Sequence, residues 1–246
     1  MYSYFAYIYD NFMREIPYLK WLEFIEKILN ENNLKPELVL DLACGSGTLT
    51  TMLAKKGYDM IGVDLSADML MVATEKAQES GLSILYLNQD MREFELYGTV
   101  DCCLCLCDSI NYITDEEDLL KVFKLVKNYL NPNGLFIFDI NTEFKFKNIL
   151  DDNTFAKTSD NSAYIWENCY DEKTKINEYL VDFFVEDKET ELYERFEEVH
   201  YQKAYDISFI TESLKNIGFE VLNIYDGEEF CKIHNKSERI FVVARG

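Results

Sequence analysis

The chain has 246 residues, 48% apolar and 28% charged, a globular composition at a length that buries roughly three quarters of its extended-chain surface. Acidic residues outnumber basic ones 45 to 24, and the resulting net charge of −21 repels phosphate backbones and anionic lipids, which excludes nucleic acid and a membrane surface from the expected partners. No apolar run approaches the ~20 residues that cross a bilayer, and Met1 to Phe5 lacks the basic start of a secretory signal, so a cytoplasmic location is expected.

In chain order, tyrosines crowd the start at Tyr2, Tyr4, Tyr7 and Tyr9. Tyr18, Trp21, Leu22, Ile25, Ile28 and Leu29 then recur at helical spacing and predict an amphipathic helix from Pro17 or Tyr18 to Asn30. Asn32, Asn33 and Pro36 break it. Residues 38–47 read Leu-Val-Leu-Asp-Leu-Ala-Cys-Gly-Ser-Gly: an apolar strand, an acidic residue and a small-residue turn, followed by a helical pattern from Thr48 to Lys55. Glycine allows the sharp turn and lets backbone N–H groups approach a ligand, while the following helix N-terminus favours an anion. A second strand, Met60 to Val63, ends in Asp64, placed to bind the two hydroxyls of a ribose.

Strand, glycine turn and helix also open a dinucleotide site, but that fingerprint needs a third glycine where this chain has Thr50, and an apolar residue where it has Asp41. Asp41 through Gly47, with Asp64 behind them, resemble instead the class I S-adenosylmethionine-dependent methyltransferase family of small-molecule type. The resemblance implies an α/β fold, a doubly wound, Rossmann-like seven-stranded sheet, with S-adenosylmethionine as cofactor. It covers about Tyr4 to Asn141 and Ile207 to Arg245. The stretch from Tyr4 to Trp21 is similar to the family's tyrosine-rich leader, which packs over the cofactor, and by that likeness Tyr9 is a cofactor-binding residue.

Ser66 is the natural N-cap of a helix from Ala67 to Ser80, closed by Gly81. A third strand, Ser83 to Asn88, leads to Asp90 and Met91, which match the family's adenine-binding pair. Val100 to Cys107 is a nearly continuous apolar run, as expected of a strand covered on both faces. It ends in Asp108-Ser109-Ile110-Asn111-Tyr112, near the sulfonium and the incoming nucleophile if ligands lie beyond the carboxyl ends of the strands. The N/D-P-P-Y motif of adenine- and glutamine-modifying relatives is missing here. Altogether the resemblance implies cofactor contacts at Tyr9, Asp41, Ala43, Cys44, Gly45, Gly47, Asp64, Leu65, Met69, Asp90, Met91, Cys107 and Asp108.

The chain has seven cysteines, and Cys102, Cys103, Cys105 and Cys107 crowd one strand. Alternation sends Cys103, Cys105 and Cys107 to one face and Cys102 to the other. No second ligand pair faces them, so they are expected as reduced core thiols and no metal is expected. Thr114 to Glu117 has the form of a capping box before a helix bearing Leu119, Leu120, Phe123, Val126 and Leu130. Asn131-Pro132-Asn133-Gly134 reads as a turn and Leu135 to Ile140 as a fifth strand.

From Thr142 to about Tyr205 the pattern changes. Tyr164, Trp166 and Tyr170 alternate with other residues, as do Tyr179, Val181, Phe183 and Val185, with polar turns at 171–174 and 187–190. This predicts an antiparallel meander of three or more strands inserted after strand five. Residues 1–141 and 206–246 are thus expected to form the cofactor-binding domain, and 142–205 an inserted β subdomain acting as lid or dimer contact. Ile207 to Asn216 is a helix ended by Gly218. Phe219 to Tyr225 and Arg239 to Ala244 are strands, the last expected between its two predecessors.

Methyl transfer from a sulfonium is an in-line displacement that needs orientation and water exclusion more than a strong catalyst, so the catalytic group is hard to read from sequence. Asp108, Tyr112 and His200 are the catalytic candidates, Trp166 is a further pocket-lining aromatic, and His234 lies in a polar loop and reads as surface. The expected reaction is methyl transfer to the amine or hydroxyl of a small molecule, by a monomer or homodimer. A non-catalytic cofactor-binding regulatory module and a nicotinamide-dependent oxidoreductase are the alternatives.

Overall fold

The computed structural model describes residues 10, 13, 16–159, 161–187, 190 and 192–246. Tyr2, Tyr4, Tyr7 and Tyr9 lie outside the described residues, as does part of the 187–190 turn.

The first part alternates helix and strand: α1 (Tyr18–Glu31), β1 (Leu38–Leu42), α2 (Thr48–Lys55), β2 (Asp59–Asp64), α3 (Ala67–Glu79), β3 (Leu85–Asn88), β4 (Val100–Cys105), α4 (Glu116–Tyr129) and β5 (Leu130–Asn141). Four further strands follow, β6 (Thr154–Ser159), β7 (Ser162–Asp171), β8 (Ile176–Glu186) and β9 (Tyr193–Lys203), then α5 (Ile207–Ile217), β10 (Glu220–Asp226) and β11 (Arg239–Arg245). The larger sheet has seven strands in the order β10-β11-β5-β4-β1-β2-β3, so β11 does lie between β10 and β5. Both of its pairings are antiparallel, and the other neighbours run parallel.

Period-two alternation distributes the apolar strands between two layers. Leu40, Cys103, Cys105, Phe136, Phe138, Ile240 and Val242 pack with α4 and α5 on one face. Val39, Cys102, Leu104, Ile137, Phe241 and Val243 pack with α1 and α2 on the other. A sheet covered on both faces puts its ligand-binding edge at the carboxyl ends of its parallel strands.

Several local expectations shift. β4 stops at Cys105, and Cys107 and Asp108 take left-handed φ values of 61° and 52°. Cys107 therefore leaves the face of Cys103 and Cys105 and packs against the opposite layer. The Asn131–Gly134 turn falls inside β5: the register with β4 passes from Val100↔Leu130 to Cys102↔Leu135, so the extra residues bulge out, with Asn133 at φ 66°. Asp115, not Thr114, caps α4, because its carboxylate reaches the backbone N–H groups of Glu117 and Asp118 at 2.9 and 3.1 Å. Ser66 caps α3 as expected, accepting from the Met69 N–H.

The smaller sheet is an antiparallel meander, β6-β7-β8-β9. Two helical turns not foreseen from the sequence, Glu143–Lys145 and a π-turn at Phe146–Leu150, lead into it. Thr142 caps the first of these turns. Phe146, Leu150, Tyr170 and Ala204 form a small core beneath the meander. Buried Asn111 ties the two sheets together: its side-chain amide donates to the carbonyls of Asn141 and Lys203, and its Oδ1 accepts from the Asn141 N–H. The meander thereby stands over the carboxyl end of the larger sheet. No helix among the described residues is long and apolar enough to cross a membrane.

Candidate functional site

The site begins in the turn after β1. Gly45, at φ 54°, donates its N–H to Asp64 Oδ2 at 2.7 Å, and the Ser66 N–H reaches Asp64 Oδ1 at 2.9 Å. A carboxylate offers about four lone-pair positions, so each oxygen keeps one for another donor. Burial raises the pKa of Asp64 against these stabilising bonds. Asp41, just below, is fully buried and accepts from Thr50 Oγ1 at 2.5 Å. Burial pushes its carboxyl up to about 7, with the Thr50 hydroxyl opposing and the charge of Asp64 adding to the rise. The two glycines differ in use. A Cβ at Gly45 would meet nothing within 4 Å, so that backbone stands open toward a ligand. A Cβ on Gly47 would lie 2.6 Å from Tyr86 Oη and 2.8 Å from Ala73 Cβ, so Gly47 serves the packing of the turn on α3.

The leader contributes Asp10, which accepts from Ser46 Oγ at 2.5 Å and pairs with Lys76. Its charge sits at the start of α2, where the helix dipole favours an anion. Tyr18 lines the same region and contacts Cys107 Sγ.

A cavity of about 980 Å³ runs from this turn to the inner face of the meander. Asp41, Ala43, Cys44, Gly45, Asp64, Leu65, Met69, Asp90, Met91, Cys107 and Asp108 all line it, whereas Gly47 does not. Asp90 is held by Arg92 through both oxygens, which keeps its carboxyl below the usual range. An adenine amino group there would share Asp90 with that guanidinium.

At the far end the sequence-derived candidates take definite partners. Asp108 does not cap the 3₁₀ turn that follows it. Instead its carboxylate accepts from Arg239 at 2.6 Å and from Gln202 Nε2 at 2.6 Å. Arg239 also pairs with fully buried Asp139, which in turn accepts from the Asp108 N–H. The Tyr112 and Tyr179 hydroxyls are hydrogen-bonded to each other. His200 Nε2 lies 2.9 Å from Glu198 Oε2, and the imidazole stacks on Tyr179 with centroids 4.8 Å apart. Trp166 lines the same wall. His234 sits apart, exposed beside Asp226.

Sequence reasoning missed Lys145, Asn141, Tyr179, Glu198 and Arg239. Glu198-x-His200 was open to reading, since residues two apart on a strand share a face. Arg239, a charge opening an apolar central strand, was a signal too. Nothing local pointed to Lys145.

The donor set suits the sulfonium cofactor that the resemblance implies. Open backbone at Gly45 and the spare acceptor positions of Asp64 fit a nucleoside ribose, and the surrounding acids favour a cation.

Residues 39–134 match the family profile described as a methyltransferase domain. YqeM of Bacillus subtilis (strain 168), provisionally named a methyltransferase, is 36% identical over 100% of this chain and 97% of its own. A crystal structure of an S-adenosylmethionine-dependent methyltransferase from Clostridium acetobutylicum is 38% identical and superposes with a TM-score of 0.90, covering 99% of this chain and 98% of that one. The sugar N-methyltransferase KedS8 from Streptoalloteichus shares the fold at 19% identity, with a TM-score of 0.78 over 97% of this chain and 93% of its own.

Proposed function

The chain belongs to the S-adenosylmethionine-dependent methyltransferase family, and from that premise we propose that it methylates the amine or hydroxyl of a small molecule held against the meander. The observation that carries this reading is the continuity of one cavity from the glycine turn to the aromatic wall of β7, β8 and β9. A space of about 980 Å³ is at the upper end of small-molecule sites and has room for two ligands side by side.

In this reading Asp64 binds the ribose hydroxyls, and the backbone from Ala43 to Gly45 approaches the amino-acid end of the cofactor. Leu65, Met69, Asp90 and Met91 frame the adenine. Asp41 supports the turn from below through Thr50. Tyr9, outside the described residues, joins the set on family resemblance. The bound cofactor supplies a methyl group already activated on a sulfonium. The remaining work is to place the acceptor in line, exclude water and remove a proton. His200, oriented by Glu198 and stacked on Tyr179, is the group that takes the proton, while the methyl joins the acceptor nitrogen or oxygen. Asp108, held by Arg239 and Gln202, shapes the point where the two halves meet. Residues 142–205 act as the wall of the acceptor half.

Isothermal titration with S-adenosylmethionine, S-adenosylhomocysteine and NADH, followed by a turnover screen of small amines and alcohols, tests the proposal. Binding of the first two ligands with a methylated small product is expected. Methyl transfer confined to protein or RNA acceptors would overturn it.

A further inference from the structure

We propose that the acceptor molecule carries an oxyanion, a carboxylate or phosphate, and that Lys145 selects for it. This rests on the acceptor-site reading above and narrows it to a substrate class.

The fold puts Lys145 at the acceptor end. It sits in the short helical turn after β5, where its N–H is received by Thr142 Oγ1 at 3.3 Å. β5 flanks β4 on the side away from β1, β2 and β3, whose ends bear Asp64 and Asp90. Lys145 therefore lines the cavity on the side opposite the nucleoside-binding end.

The ammonium there has no carboxylate within ion-pair distance among the described residues. Its Nζ donates to the neutral Asn141 Oδ1 at 3.0 Å. Of the acids whose charge acts on it, Glu238 is near enough to raise its pKa but makes no ion pair with it among the described residues, and the others are already engaged. Asp108 and Asp139 are held by Arg239. Glu143 is taken by Tyr170 and Lys175. Glu198 faces His200. A lysine has three donors, so Lys145 keeps two for a ligand. Burial and the nearby Arg239 charge lower its pKa, the direction that a bound anion would reverse.

An ammonium donates and has no acceptor capacity, and the ligand group that best completes it is an oxyanion.

The test uses enzyme saturated with S-adenosylhomocysteine and three matched amines: ethanolamine, phosphoethanolamine and β-alanine. Isothermal titration should show at least one of the two anionic amines binding tenfold or more tighter than ethanolamine. Preference for phosphoethanolamine identifies phosphate, and preference for β-alanine identifies carboxylate. Lys145→Met should abolish the preference while binding S-adenosylhomocysteine as the parent does, and Lys145→Arg should restore part of it. Equal behaviour of the three amines with the parent enzyme, or a preference undiminished in Lys145→Met, overturns the inference. Loss of S-adenosylhomocysteine binding by the parent protein would instead overturn the cofactor-site reading beneath it.

Discussion

The two ends of the cavity are built in different ways. The end proposed to hold the cofactor is assembled from short local segments, and its bonds are largely made by backbone: Gly45 and Ser66 N–H groups on Asp64, with the turn after β1 left open for a ligand. The end proposed to hold the acceptor is assembled from side chains far apart in the chain. Arg239 reaches Asp108 across 131 positions, and Gln202 reaches it across 94. A backbone-built site constrains residue type at fixed spacing. A side-chain-built site constrains only the final geometry, so its residues are free to differ from one chain to another. In the proposed reading, that contrast separates the methyl-donor chemistry from the choice of acceptor.

The junction is the most sensitive place to break. Arg239→Met leaves Asp139 buried without its cation and unlinks Asp108, and urea titration should show a loss of about 3–5 kcal/mol. A loss below about 1 kcal/mol would mean that the ends are not coupled through this arginine.

The two ends should then separate kinetically. His200→Gln is expected to lower kcat about 100-fold or more while leaving S-adenosylhomocysteine affinity unchanged, because the change removes a proton acceptor and no cofactor contact. Asp64→Ala should do the reverse at the binding step, weakening S-adenosylhomocysteine about 10- to 100-fold as the carboxylate that orients Gly45 and Ser66 disappears. If both variants changed affinity alike, the division of labour would be wrong.

A further variant, read by stability and not by binding or turnover, concerns Asp41. Its carboxyl is raised to about 7 when folded and lies near 3.9 when unfolded. Between those values the folded chain holds a proton that the unfolded chain has released. Stability from this residue is therefore full below about pH 4 and declines as pH rises to about 7. Asp41→Asn should flatten that slope in unfolding midpoints measured from pH 4 to 8, and an unchanged slope would exclude Asp41 as its source.

Much of the larger sheet was legible because alternation and turn chemistry are local. β1, the glycine turn, Asp64, the Ser66 cap and the placement of β11 all follow from spacing or from the family that the spacing resembles. Where competing local signals were close, the structure chose. The carboxylate of Asp115 displaced the Thr114 hydroxyl as cap, because it reaches two backbone N–H groups. A left-handed residue at Cys107 ended the alternation that would have grouped it with Cys103 and Cys105. The turns at 143–150 were hidden by mixed polarity between a strand and a meander.

The sequence by itself determined the strand, glycine turn and helix of the proposed cofactor end, since these arise from neighbours in the chain and restrict which residues can occupy them. At the proposed acceptor end the sequence offered single candidates, and only the tertiary structure decided their partners. Lys145, Glu198 and Arg239 have no common spacing, and they line one cavity because the meander folds back over β4 and β5 and is held there by Asn111. Local sterics and hydrogen bonding leave a pattern in the sequence, whereas the meeting of distant side chains is set by packing the whole chain.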